Sequence, residues 1–292
     1  MVPRPLSSSS VIRVVAPSGA FDRERFDRGL EWLERAGFKP RYDDSIFSRE
    51  RYLAGSDEIR LGGVRAALAD PEADALWFAR GGYGAGRIVG RLDRWPEKWL
   101  VGFSDATAFH LAASGAGVCS VHGANVTTLD SWTEEHRAEL FAMLTGELRT
   151  QRFEGTVQGT PGASKGVLRG GNLTVLASMV GSSVFPSFDE AIVLLEDVGE
   201  SPYRLDRVLN QLRQSGAFDG VRGFVVGQLS RCSAGENADF SALDVVLEGL
   251  TPYGVPIVTG LPLGHDADSR AVWLEANATI DQGRLEVTLP LR

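Results

Sequence analysis

Hydrophobic positions along this chain fall into two textures. In the first, short β-branched runs alternate with segments whose apolar residues recur every three or four positions. Val11-Ile-Arg-Val-Val-Ala16 stops at Pro17-Ser-Gly19 and reads as a buried strand entering a turn. Residues 22–36 place Phe26, Leu30 and Leu33 between charges, an amphipathic helix that Gly37 closes. A short strand is expected over 38–42. Tyr52-Leu-Ala-Gly-Ser-Asp57 is a turn whose Ser56 or Asp57 can cap a helix running to Leu68. Ala75-Leu-Trp-Phe78 is a third strand, running into Arg80-Gly-Gly-Tyr-Gly84, after which a helix is expected. Trp99-Leu-Val101 is a fourth, stopped by Gly102, and the small residues 106–113 then read as helical. Such alternation predicts an α/β layer with a mostly parallel sheet. Ligands then gather at the strands' carboxyl ends, here Ser18-Gly19, loop 80–84 and turn 102–105.

The second texture begins after a helix expected over 134–144. Residues 145–165 are polar, rich in Gly, Thr and Gln, with little periodicity, and read as a junction dividing a domain 1–150 from a domain 151–292. Beyond it, strands (166–168, 191–195, 221–226, 256–258) and helices (173–180, 203–214, 244–250) mix less regularly. Residues 272–274 and 285–289 look like a closing β pair.

Composition narrows the function classes. The 292 residues are 43% hydrophobic and 23% charged, as in a soluble globular protein. The net charge of −8 leaves no electrostatic footprint for nucleic acid. Cys119 and Cys232 lack metal-type spacing and fit a reducing compartment. The first ten residues have no apolar core of a signal peptide and are expected to fray, and no run is long enough to cross a membrane. A cytoplasmic protein without metal or other cofactor is the expectation.

Three features could carry chemistry. Ser104 sits at the apex of a strand–turn–helix, where a hydroxyl is lifted clear of the sheet beside free N–H groups at a helix start. It is either a nucleophile or the helix N-cap. Loop 80–84 could bring a backbone N–H to a reacting carbonyl, cradle a phosphate, or be only a glycine turn. It is neither G-x-G-x-x-G nor a P-loop. Of the four histidines, His136 lies in a charged helix, His110 points away from Ser104, and His122 reads as a core or supporting residue. His265, between Gly264 and Asp266 past a strand, can reach across a cleft. Glu196 and Asp197 end an apolar strand, where a carboxylate needs a partner: an imidazole, or Arg204 or Arg207 one helix later.

Taken together, Arg80-Gly-Gly-Tyr-Gly84, Gly102-Phe-Ser-Asp105, Leu195-Glu-Asp-Val-Gly-Glu-Ser-Pro-Tyr-Arg204 and Gly264-His265 resemble the LD-carboxypeptidase family of serine peptidases, which includes the microcin C self-immunity peptidases. Tyr52-Leu-Ala-Gly-Ser-Asp57, Val121-His-Gly123 and Arg169-Gly-Gly-Asn-Leu173 add to the resemblance. It implies a triad of Ser104 (nucleophile), Glu196 (acid) and His265 (base), with the oxyanion held by the Asp105 N–H and one from the glycine pair, Gly82 favoured. It also implies an N-terminal flavodoxin-like α/β domain, a C-terminal swivelling β/β/α domain, a site between them and a homodimer. Gly199-Glu-Ser-Pro-Tyr-Arg204 and the short span 227–256 resemble the murein-recycling members, whereas Val272-Trp-Leu-Glu-Ala276 departs from the family's usual run.

The implied reaction is release of a terminal D-alanine from a muropeptide. Arg80 and Arg204 are the candidates for its carboxylate, since a bidentate arginine suits that group. The alternatives are hydrolysis of a peptidyl-nucleotide conjugate within the same family and, from another class, a non-catalytic α/β anion- or small-molecule-binding protein.

Overall fold

The computed structural model describes residues 1–235 and 238–291. The first part of the chain gives strands β1 (Val11–Val15), β2 (Lys39–Arg41), β3 (Ala73–Phe78), β4 (Trp99–Gly102) and β5 (Ser120–His122), with helices α1 (Arg23–Arg35), α2 (Asp57–Ala69), α3 (Thr107–Gly115), α4 (Val126–Leu129) and α5 (Glu134–Thr145). The second gives β6 (Thr150–Glu154), β7 (Thr156–Gly159), β8 (Ser164–Asn172), β9 (Ala191–Val198), β10 (Gly223–Ser230), β11 (Pro256–Thr259), β12 (Val272–Leu274), β13 (Asn277–Asp281) and β14 (Arg284–Thr288), with α6 (Leu173–Met179), α7 (Pro202–Gln214) and α8 (Ala242–Leu250).

The first sheet has the order β2-β1-β3-β4-β5-β12. Its first five strands pair in parallel, and β4 and β5 are buried throughout because layers cover both faces. The order reverses between β1 and β3, the switch point beside which ligands gather in sheets of this kind, and the loops after the two strands are joined there by the Gly19 N–H, which donates to the Gly81 carbonyl at 3.1 Å. The local rules held where they were legible. Asp22 caps α1 through the Arg25 N–H, and Ser56 caps α2 through that of Ile59.

Four expectations fail, each for a physical reason. No helix follows loop 80–84. Two short 3₁₀ turns, Ala85–Arg87 and Val89–Arg91, stand there instead, in a stretch where Gly86 and Gly90 weaken any α-helix. The polar stretch 145–165 holds β6, β7 and the start of β8; in β6 only Gln151 and Phe153 are buried, a period of two hidden among polar residues. Val272–Leu274 does not pair with the last strand. It crosses to the first sheet and lies antiparallel on β5, while β14 pairs with β13 and β6. The first ten residues are packed: Leu6 and Ser10 are buried, and the Leu6 N–H donates to the Leu144 carbonyl at 2.8 Å.

The second sheet has the order β6-β14-β13-β8-β9-β10-β11-β7. Its two edge strands are consecutive in sequence, separated by Gly155 alone, so the sheet curls until its edges meet. Parallel strands β8 to β11 form its centre and bring Glu196 on β9 level with the segment after β11. Helix α3 joins the halves: the Asn172 N–H at the end of β8 donates to Thr107 Oγ1 at 2.9 Å. Two apolar clusters form the core, and each draws residues from both sheets, Ile12 and Leu168 in one and Val15 and Leu195 in the other.

Candidate active site

The turn after β4 is tight because two glycines let neighbours close in. A methyl group at Gly102 would lie 2.4 Å from Phe78 Cδ2, and one at Gly81 would lie 2.8 Å from Ser104 Cβ and 2.9 Å from its Oγ. Ser104 itself is left-handed, with φ +65°, a conformation that costs an L-residue roughly 1–2 kcal/mol. Its hydroxyl caps no helix, since neither the 3₁₀ turn Ser104–Ala106 nor α3 carries a side-chain cap. The serine is half-buried, and backbone strain of this kind clusters at active sites and ligand clamps.

Buried polar groups hold the turn from behind. His110 on α3 bonds the Gly102 carbonyl through Nε2 and Ser120 Oγ through Nδ1, both at 2.8 Å. Burial pushes its pKa down to about 4, so the ring is neutral and structural. Asn125 Oδ1 accepts the Phe103 N–H at 3.3 Å. An asparagine before a helix signals a cap, yet Asn125 caps nothing with its side chain and reaches the turn instead. His122 is buried behind Phe103 with neither ring nitrogen hydrogen-bonded among the described residues. Burial, with His110 and His265 nearby, holds its pKa well below the ordinary histidine value.

The two carboxylates at the end of β9 face opposite ways, as successive strand residues must. Asp197 accepts from Asn172 Nδ2 (3.1 Å), the Thr174 N–H (2.9 Å), Thr174 Oγ1 (2.7 Å) and the Val198 N–H (2.8 Å), and so fixes the start of α6. Glu196, fully buried, places Oε2 2.7 Å from His265 Nδ1. Its Oε1 has no hydrogen-bond partner among the described residues. Burial first, and Asp197 second, push the Glu196 carboxyl up, while His265 pulls it down. Glu196 therefore does not pair with Arg204 or Arg207. Arg204 is exposed against Glu200 and the Tyr203 hydroxyl, and Arg207 lies over the Tyr203 ring.

His265 packs on the ring of Phe103, centroids 4.6 Å apart and planes tilted by 49°. Phe103 immediately precedes Ser104, so the carboxylate–imidazole pair packs against the residue beside the strained serine; no hydrogen bond joins Ser104 Oγ to His265 among the described residues, and Gly81 lies against the serine. Neither the Gly82 N–H nor the Asp105 N–H has an acceptor among the described residues. Arg80 stands exposed at the rim and donates to the Ala20 carbonyl. A phosphate cradle lacks its helix, because loop 80–84 leads into a 3₁₀ turn. No group of three or more His, Cys, Asp or Glu among the described residues could hold a metal.

Comparison with known proteins agrees with the motifs. Residues 12–123 match the model of the LD-carboxypeptidase N-terminal domain, and residues 165–280 that of the LD-carboxypeptidase C-terminal domain. A murein tetrapeptide carboxypeptidase of Pseudomonas aeruginosa is 32% identical over 293 residues, covering 94% of each chain. A muramoyltetrapeptide carboxypeptidase from Oxalobacter formigenes shares the architecture with a TM-score of 0.86 at 25% identity, over 97% of this chain and 100% of that one. The microcin C7 self-immunity protein MccF, in complex with aspartyl sulfamoyl adenosine, has a TM-score of 0.87 at 20% identity over 99% of both chains, a likeness of fold. The architecture is thus a flavodoxin-like α/β unit followed by a swivelling β/β/α unit. Two domain models matched in order, and a relative this similar along almost the whole length, mean that the chain belongs to the LD-carboxypeptidase family.

Proposed function

We propose that this protein is a serine-type LD-carboxypeptidase that removes a terminal D-alanine from muropeptides in the cytoplasm, as in conversion of a tetrapeptide to a tripeptide. The observation that carries the reading is the 2.7 Å bond from His265 to buried Glu196, packed beside the turn that bears Ser104. Glu196 fixes the imidazole with its proton on Nδ1, which leaves Nε2 to take the proton of Ser104. Ser104 Oγ attacks the carbonyl before the D-alanine. The oxyanion is held by the N–H groups of Asp105 and Gly82, which have no other acceptor among the described residues. The imidazolium, stabilised by Glu196, protonates the departing amine, and water then cleaves the acyl-enzyme by the same route.

Arg80 or Arg204 holds the terminal carboxylate, and the working unit is a homodimer. The domains are 1–150, which carries Ser104, and 151–292, which carries Glu196 and His265. No helix among the described residues is long and apolar enough to cross a membrane. The relatives' names support a muropeptide as the substrate. The test is mass spectrometry of the products from a mixture of muropeptides and peptidyl-nucleotide conjugates. Loss of one D-alanine from the muropeptides is expected. Cleavage of the conjugates alone would reject the substrate, and no cleavage together with no labelling by a serine-reactive phosphonate would reject the chemistry.

A further inference from the structure

One end of the loop that carries Gly82 is held by a clamped peptide. The carbonyl of Gly84 accepts from Arg60 Nη1 at 2.9 Å, and the N–H of Ala85, in the same peptide unit, donates to Asp105 Oδ2 at 2.8 Å. Both clamping side chains are buried, Arg60 at 3% exposure and Asp105 at 4%. Arg60 also donates to the carbonyls of Pro17 and Gly55, tying the loop after β1 and the turn before α2 to the same point. At the loop's other end, the Gly81 carbonyl accepts the Gly19 N–H at 3.1 Å. Gly82 is thus suspended between two fixed points. The strained turn that aims the Asp105 N–H also carries the carboxylate that pins the Gly82 loop.

We infer that the Asp105 side chain is a positioning residue that sets the spacing between the two oxyanion N–H groups, its own and that of Gly82, with Arg60 as the second jaw of the clamp. The inference rests on the serine-peptidase reading. An oxyanion hole works through donors placed in advance where charge develops, so a loop that relaxes loses transition-state stabilisation while ground-state binding survives. A purely structural carboxylate would change stability and leave the chemical step alone.

The experiment measures kcat and KM on a D-alanine-terminated muropeptide, with thermal unfolding, for the wild type, Asp105→Ala, Asp105→Asn and Ser104→Ala. In Asp105→Ala, kcat should fall about 10- to 100-fold, up to the range for loss of one oxyanion donor, with KM changed by less than about threefold. Asp105→Asn keeps an oxygen that can accept from Ala85 and should recover at least about tenfold of that loss. If the alanine variant does not fold, Asp105→Glu takes its place: the carboxylate, one methylene longer, displaces Ala85 and should lower kcat in the same way. A folded Asp105→Ala or Asp105→Glu that keeps wild-type kcat overturns the inference, as does an asparagine variant no better than alanine. Ser104→Ala separates the two levels. If it is inactive while Asp105→Ala is fully active, the clamp alone is wrong; if it retains activity, the serine-peptidase reading is wrong as well.

Discussion

The turn at Ser104 and the Glu196–His265 pair solve opposite problems. The turn is local: a few consecutive residues whose backbone is held by the side chains of His110 and Asn125, with strain concentrated at one half-buried residue. The pair is remote: 69 residues separate the partners, which meet because β9, β10 and β11 run parallel, with an irregularity in β10 between Val226 and Leu229. Its cost is desolvation, not strain, since Glu196 is fully buried with one oxygen unpaired among the described residues. A nucleophile must be reachable, whereas the group that orients its base works best away from water. The two regions should therefore fail differently when altered.

The largest effect should come from the buried side. Glu196→Gln removes the charge that orients and stabilises the imidazole, and kcat should fall about 10²- to 10⁴-fold with the fold retained. Steady-state kinetics beside a circular-dichroism melt checks this, and normal turnover would remove Glu196 from the mechanism. On the strained side, Gly81→Ala sets a methyl group 2.8 Å from Ser104 Cβ. Displacing the serine should lower kcat by about 10- to 100-fold, as small misplacements of reacting groups do, with little change in melting temperature. Equal activity would mean that the turn has room to yield.

A smaller effect is expected at the rim. Neutralising whichever of Arg80 and Arg204 holds the terminal carboxylate should raise KM about tenfold for free-acid substrates, in line with loss of a charged hydrogen bond, and leave amidated analogues unaffected. Equal shifts for both substrates would exclude a carboxylate contact. The smallest consequence concerns stability. His110 titrates near 4 in the fold against 6.5 for an ordinary histidine, so between these values the unfolded chain binds the extra proton. Its contribution is complete above pH 6.5 and falls by about 3 kcal/mol as the pH drops to about 4. The raised carboxyls of Glu196 and Asp105 contribute with the opposite sign, their stabilisation being lost as pH rises, but they persist when His110 is changed. Chemical denaturation across pH 4–7 should give a shallower dependence for His110→Gln than for the wild type, and identical slopes would refute the assignment.

Legibility in the sequence followed the range of the interactions. Strands such as Val11–Val15 and a cap such as Ser56 are set by neighbouring residues and could be read directly. So could the serine turn, since glycine, serine and a small-residue helix are adjacent. What stayed hidden depends on distant partners. Nothing near Val272–Leu274 indicates that it will cross to β5, and the polar surface of β6 masks two buried residues. By strand position alone Glu196 and Asp197 are equivalent; the resemblance names Glu196, and the alternation of β9 directs it to His265 and Asp197 to α6. Asn125 and Arg60 carry no signal of their bracing role because the partners that matter, the Phe103 N–H for one and the Pro17 and Gly84 carbonyls for the other, lie in other loops.

The central claim is that Ser104 and the Glu196–His265 pair act as one catalytic unit. The most direct measurement is kcat/KM on a D-alanine-terminated muropeptide for Ser104→Ala, His265→Ala and the double variant. Members of a triad act together, so each single change should remove nearly all activity and the double should be little worse than either. Losses that multiply in the double variant, or substantial activity in Ser104→Ala, would contradict the account.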